Sequence, residues 1–323
     1  MQRQRIISLI ASATEIVSAL GFEDQLVGRS HECDFPESVK RLPVCTEPKF
    51  DTEGTSLEID QRVKAILSGG SSQNQTSGAT LMSQEALSVY RVHTEILKQL
   101  KPDVIVTQSH CDVCAVSLKD VERAVCDMID SRPKIVSLEP NTLSDIWKGI
   151  LQVAEALGVT ERGQVLINEL RKRIETISAQ AHAISHRPTV AYIEWIEPLM
   201  AGGNWMPELV ELANGENLFG EAGKHSPWME WQQIVECNPD IIMIAPCGFD
   251  LKRSREDLPV LKRKSEWPSL KAVRNRRVYL ADGNQYFNRP GPRLVESLEI
   301  LAEIIHPDTF HFGHEGKGWE MVE

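Results

Sequence analysis

Between Thr160 and Ser185 the chain runs without a proline, and Ile167, Leu170, Ile174, Ile177, Ala181 and Ile184 recur at offsets of 3, 4, 3, 4 and 3. That spacing puts all six on one narrow stripe of an α-helix. At ~1.5 Å per residue the helix is roughly 40 Å long, enough to run as a spine beside two lobes. Strand and helix patterns alternate on both sides of it. Before it, Ile6 to Ile10, Leu26 to Gly28, Val104 to Thr107 and Ile135 to Leu138 read as short buried strands separated by helical stretches. After His186-Arg187-Pro188 the pattern restarts, with strands at Thr189 to Ile193, Ile241 to Ala245 and Arg277 to Ala281 and a closing helix from Pro292 to Ile305. β–α alternation of this kind predicts parallel sheets covered by helices. A chain of 323 residues also exceeds what a single hydrophobic core usually serves. The fold expected is α/β, two Rossmann-like lobes with parallel sheets joined by a single long helix. The boundaries expected are 1–158 for the first lobe, 159–186 for the spine, 187–305 for the second lobe and 306–323 for a polar tail. The Gly/Ser/Gln-rich stretch at 69–83 reads as a mobile insertion.

Local signals place the ends of several elements. Ser12 and Glu15 have capping-box spacing and Gly21 suits a helix C-terminus; Thr142 and Asp145 repeat the box with Asp in place of Glu. Two strands then deliver polar groups at their carboxyl ends, Ser12 and Thr14 after the first and His31-Glu32-Cys33-Asp34 after the second. That is where open parallel sheets place their ligands.

Composition excludes several partners. With 35 basic and 46 acidic residues the formal net charge is -11, which repels nucleic acid and anionic membrane surfaces. No apolar run is long enough to insert in a membrane, and Ile6 to Ile10 is too short for an export signal, so the expected location is the cytoplasm. Seven scattered cysteines, an odd number, do not form a disulfide framework. No Gly-x-Ser-x-Gly, His-Glu-x-x-His or phosphate-binding glycine loop is present, and an enzyme is not expected.

The order of several segments points to a family. Arg5-Ile6-Ile7-Ser8-Leu9, Ser12-Ala13-Thr14-Glu15 and Val27-Gly28-Arg29-Ser30-His31-Glu32-Cys33-Asp34-Phe35-Pro36 are followed by Leu100-Lys101-Pro102-Asp103. Later come Gly215-Glu216-Asn217, Ser226-Pro227-Trp228, Asn238-Pro239-Asp240 and Arg289-Pro290-Gly291-Pro292. Over about residues 5 to 305 the chain resembles the vitamin B12-binding branch of the class III substrate-binding proteins, which are periplasmic-binding-protein-like. Thr107-Gln108 with Cys111-Asp112-Val113-Cys114-Ala115-Val116 resembles a cytoplasmic subgroup of them. The resemblance implies lobes that hold a corrinoid such as cobalamin, or a related tetrapyrrole, in a cleft with little closure. It also implies a role in trafficking, storage or transport, with an ABC transporter or a corrinoid-dependent enzyme as partner.

The resemblance places ligand contacts on the strand-end loops: Ser12, Thr14, His31, Glu32, Asp34, Tyr90 and His110 from the first lobe, and Glu194, Trp195, Asn204, Trp205, Trp228, Phe249, Phe287 and Arg289 from the second. A large flat macrocycle with an amide rim needs aromatic faces and a few polar groups. Against that, an aromatic is more often core, and Trp147 and Trp267 read as packing or surface. Cys33, Cys45, Cys111, Cys114 and Cys247 are the residues that would hold zinc or iron, although free cysteine often simply packs. His31 or His110 is a candidate axial ligand to a metal carried by the ligand, with a packed histidine as the commoner outcome. Two alternatives remain open: a metal- or thiol-dependent enzyme on the same scaffold, and a siderophore or haem binder in which Arg29, Arg91 and Arg289 matter more than the tryptophans.

Overall fold

Short runs of β-branched residues between polar turns form the strands of two mainly parallel sheets. A computed structural model describes residues 3–67, 89–108, 121–122 and 132–323. The chain divides into two units, residues 1–139 with 147–166, and 140–146 with 167–323. The stretch expected as a mobile insertion, 69–83, lies outside the described residues, as do His110, Cys111 and Cys114.

In the first unit the strands are β1 (Ile6–Ser8), β2 (Leu26–Arg29), β3 (Thr46–Pro48), β4 (Tyr90–Val92), β5 (Val104–Gln108) and β6 (Lys134–Leu138). Four of them make a parallel sheet in the order β2-β1-β5-β6, and β3 pairs antiparallel with β4. Strand β1 is central, flanked by Leu26 and Val104 at Ile6, and is fully buried, which explains its unbroken apolar sequence. The helices are α1 (Ala11–Ala19), α2 (Ser56–Leu67) and α3 (Thr94–Leu100). Helix α1 starts earlier than its sequence suggests. Ile10, in extended conformation, is the N-cap and its carbonyl accepts the Thr14 amide, so Ser12 lies inside the helix and caps nothing. The apolar residue Ile10 occupies the cap position, so no side chain caps the helix. Gly21, at φ +82°, takes the left-handed position that closes the helix, as its sequence predicts. Ile7, Leu9, Val89, Leu97 and Ile105 form the core of this unit.

In the second unit the strands are β7 (Thr189–Trp195), β8 (Met200–Ala201), β9 (Glu216–Asn217), β10 (Ile241–Ile244), β11 (Val278–Ala281) and β12 (Trp319–Met321). Their order is β12-β11-β10-β7-β8, with β9 also on β7; β7, β9, β10 and β11 are parallel, while β8 and β12 run antiparallel. The helices that follow in the chain are α4 (Leu143–Ala156), α5 (Thr160–His182), α6 (Met206–Leu212), α7 (Trp231–Cys237), α8 (Leu251–Asp257), α9 (Pro259–Lys262), α10 (Lys271–Arg274) and α11 (Leu294–Ile305). Thr142 and Asp145 do form the reciprocal cap of α4, at 3.0 and 3.2 Å. Helix α5 buries Ile167, Leu170, Ile174, Ile177 and Ala181, the stripe that defines it in sequence. It ends at His182 because Asn214 donates its side-chain amide to the carbonyls of Ala181 and Ile184 at 3.1 and 3.0 Å, supplying partners to a helix end.

The unit boundaries fall inside helices: the first turn of α4 groups with the second unit, and α5 divides between Leu166 and Ile167. The stretch 306–323 is not an unpatterned tail. Its strand β12 pairs with β11, and Trp319 is buried, donating its indole N–H to Glu303 Oε2 at 2.7 Å. A single tryptophan in a polar context gave no periodicity to read. Among the described residues no helix is long and apolar enough to cross a membrane.

Candidate functional site

Chain order reverses in each parallel sheet. In the first it turns at β1, with β2 on one side and β5 on the other; in the second it turns at β7, with β9 on one side and β10 on the other. The carboxyl ends of strands at such a switch point are where open α/β sheets bind ligands. Some of the polar and aromatic residues singled out in the sequence lie near these ends, and others are buried in the core.

At the end of β2, five side chains are linked. Thr46 Oγ1 accepts the His31 backbone N–H at 3.1 Å, lies 2.8 Å from His31 Nδ1, and donates to Ser30 Oγ at 3.0 Å. Tyr90, on β4, donates its hydroxyl to Glu32 Oε1 at 2.7 Å, and its ring lies 4.9 Å from the His31 ring, tilted by 57°. Burial first, then the positive charge of Arg29, push the His31 pKa down to about 4, so the imidazole is neutral at neutral pH. Asp34, two residues further on, is half-buried.

Beneath this cluster Thr14 and Ser12 are buried within α1. Thr14 Oγ1 donates to Cys33 Sγ at 3.0 Å, and the Ser12 hydroxyl meets no partner among the described residues. These two support the loop rather than present themselves on it. Burial, chiefly, pushes the Cys45 thiol up to about 12, which keeps it protonated and a poor metal ligand. Cys247 belongs to the other unit. Among the described residues no three His, Cys, Asp or Glu side chains converge to hold a metal ion. Of the five cysteines expected to hold a metal, Cys111 and Cys114 lie outside the described residues, and Cys33 and Cys45 are buried.

In the second unit the register sets an aromatic row. Trp195 on β7 pairs with Met200 on β8, and Met200 pairs in turn with Trp228 through an isolated antiparallel bridge. A bulge between Ile193 and Trp195 shifts the register here, so the two pairings bring Trp195, Met200 and Trp228 next to one another along the backbone. Trp228 is 56% exposed, and the other two are half-buried. The Trp195 indole is fixed by donating to the Glu197 carbonyl at 3.1 Å and by edge contact with the Phe249 ring at 5.3 Å. Beside the row, Glu194 Oε1 accepts from Ser226 Oγ at 2.9 Å, and Ser226 Oγ accepts from the Gly203 amide at 3.1 Å. Gly203 has no room for a side chain, since a Cβ there would lie 2.5 Å from the Lys224 carbonyl and the Ser226 amide.

The remaining aromatics are core. Phe249 and Phe287 are fully buried, and Trp205 is buried with its N–H donated to the Phe287 carbonyl at 3.1 Å. Trp147 and Trp267 are also buried. Asn204 adopts φ +52° and uses its backbone in the turn, donating to Lys224 and accepting from Gly223. Arg289 is buried and donates to Asn284 Oδ1 at 3.1 Å. Met200 is the site residue that the sequence does not reveal. Only the pairing of β8 with β7 puts a methionine between two tryptophans.

Comparison with known proteins accords with this architecture. The family described as periplasmic binding protein matches residues 6–284. A Bacillus subtilis protein named as the uncharacterized ABC transporter substrate-binding lipoprotein YvrC is 24% identical over 95% of this chain and 81% of its own length. A vitamin B12-binding protein of Vibrio vulnificus is 22% identical over 93% of this chain and 89% of its own. The structure of a periplasmic heme binding protein from Pseudomonas aeruginosa superposes with a TM-score of 0.70 at 17% identity, covering 99% of this chain and 98% of that one. The expected cytoplasmic location and cytoplasmic subgroup do not stand against relatives named as a lipoprotein and as periplasmic. The apolar run Ile6 to Ile10 is the buried start of the first sheet and says nothing about compartment. Its relatives are binding proteins and not enzymes, and the chain belongs to the periplasmic binding protein family, as a substrate-binding protein of the ABC transporter type.

Proposed function

We propose that this chain binds a corrinoid, with cobalamin as the representative ligand, through the strand-end groups described above, and delivers it to an ABC transporter. The observation that carries this reading is the row Trp195, Met200 and Trp228: two indoles and a thioether, adjacent by register, with the outermost indole more than half exposed. An apolar surface of that kind suits a large flat macrocycle. Relatives named as vitamin B12-binding proteins support the same ligand class.

Haem and siderophores are the second reading, and the arginines weigh against it. Carboxylate-bearing ligands call for free guanidinium groups. Arg29 donates to the carbonyls of Ser30 and Lys40, Arg91 is paired with Glu47 at 2.9 Å, and Arg289 is buried against Asn284. A corrin rimmed with neutral amides makes no such demand.

Titration with cyanocobalamin and, separately, with ferric haem tests the choice, read by tryptophan quenching. Cyanocobalamin is expected to quench saturably, and Trp228→Ala to weaken it at least about tenfold, ~1.4 kcal/mol. Saturable haem binding without cobalamin binding overturns the proposal.

A further inference from the structure

We propose that His31 is the axial ligand to the metal of the bound macrocycle, its Nε2 replacing an exchangeable water on that metal. The inference rests on the corrinoid reading above and adds the point of attachment.

The Thr46 hydroxyl has one proton to give and two lone pairs to receive. It gives the proton to Ser30 Oγ and receives the His31 backbone N–H. With that proton on Ser30, the remaining contact, with Nδ1 at 2.8 Å, has its hydrogen on Nδ1. In that arrangement Nδ1 carries the proton and Nε2 an open lone pair. No hydrogen bond to Nε2 exists among the described residues; the Glu32 carboxylate stands 4.0 Å away, beyond bonding distance, and Glu32 Oε1 already takes the Tyr90 hydroxyl. Metal-binding imidazoles have this form, one ring nitrogen donating to a fixed oxygen and the other directed at the metal.

Three further features suit the role. The side chain is 23% exposed, at the carboxyl end of β2, where a ligand has access. The Tyr90 ring limits rotation of the imidazole from one side. The Glu32 carboxylate beside Nε2 complements a metal centre that carries positive charge. In the exchange the metal–water bond breaks, the metal–Nε2 bond forms and one water leaves; no electron or proton moves.

Aquocobalamin, whose upper water exchanges, and cyanocobalamin, whose upper position is blocked, separate this proposal from the one beneath it. The wild-type chain is expected to bind aquocobalamin at least about tenfold more tightly than cyanocobalamin, a difference of ~1.4 kcal/mol. Its absorption bands are expected to move to those of an imidazole-ligated corrin. In His31→Ala the preference falls to about one and the bands return to those of the aquo form, with circular dichroism verifying the fold. Binding of both corrinoids without a band shift, or a shift that survives His31→Ala, overturns axial ligation and leaves corrinoid binding intact. Absence of quenching by either corrinoid overturns both. A His31-dependent low-spin spectrum with ferric haem in place of corrinoids keeps the axial ligand and replaces the macrocycle.

Discussion

Tyr192 is 2% exposed, on the central strand of the second sheet, and its hydroxyl meets no partner among the described residues. Burial, chiefly, and the neighbouring Glu194 push its pKa well above the ordinary value, so the phenol stays neutral. A buried hydroxyl without a partner costs about 1–3 kcal/mol of lost solvation. Tyr192→Phe is therefore expected to leave stability unchanged or to raise it by up to about 1 kcal/mol, measured by denaturant unfolding. A loss of more than 1 kcal/mol would mean that the hydroxyl is satisfied. The ring cannot shift to find a partner easily, because Gly202 lies against it and a Cβ there would come within 2.3 Å of Tyr192 Cδ1. At this scale residue type alone was a poor guide. Trp205 and Trp228 look alike in sequence, yet the first is core and the second is exposed. Burial depends on which strand or turn lies opposite, and composition does not carry that.

The C-terminal segment is held as an element by two acidic residues of α11. Glu303 accepts the Gly313 amide at 2.6 Å and the Trp319 indole, and Glu299 takes His314 at 2.9 Å and Arg173 of α5 at 2.6 Å. The hydrogen bond to Glu299 raises the His314 pKa against the opposing effect of burial; Glu303 and Glu296 add to the rise, and the Tyr286 ring lies 6.1 Å away. Burial alone would raise Glu299, but His314 and Arg173 outweigh it and hold its carboxyl below the ordinary value. A histidine raised in the folded state contributes stability that is fully present below its unfolded pKa of about 6.5 and is lost as pH rises through the folded value. The Glu299 contribution has the opposite sense, present above about 4.5 and lost on acidification. Unfolding free energy is thus expected to fall above pH 6.5, by at most about 1.4 kcal/mol per pH unit from this one proton. His314→Gln should flatten that slope in a pH series of denaturant melts. An unaltered slope would place the titrating group elsewhere.

For the whole molecule, a ligand that binds only the folded chain raises its unfolding free energy by about 2.7 kcal/mol at a hundred times its Kd. Calorimetry with saturating cyanocobalamin should show an upward shift of several degrees. If the two units melt separately, the transition that moves identifies the unit whose groups hold the ligand. An unshifted trace would count against cobalamin. The sequence by itself determined the fold class, since apolar runs of strand length alternating with amphipathic helices have few other solutions, and the stripe on α5 is buried as its period requires. It also marked polar and aromatic residues at expected strand ends as candidates, because strand length and turn chemistry are local properties. Tertiary structure alone decided which of them are presented. The row of Trp195, Met200 and Trp228 depends on the register of β8 against β7, and the open nitrogen of His31 depends on a hydroxyl fifteen residues away on β3. The pairing of Met200 with Trp228 and the contact of Thr46 with His31 join separate segments, and no local pattern encodes either.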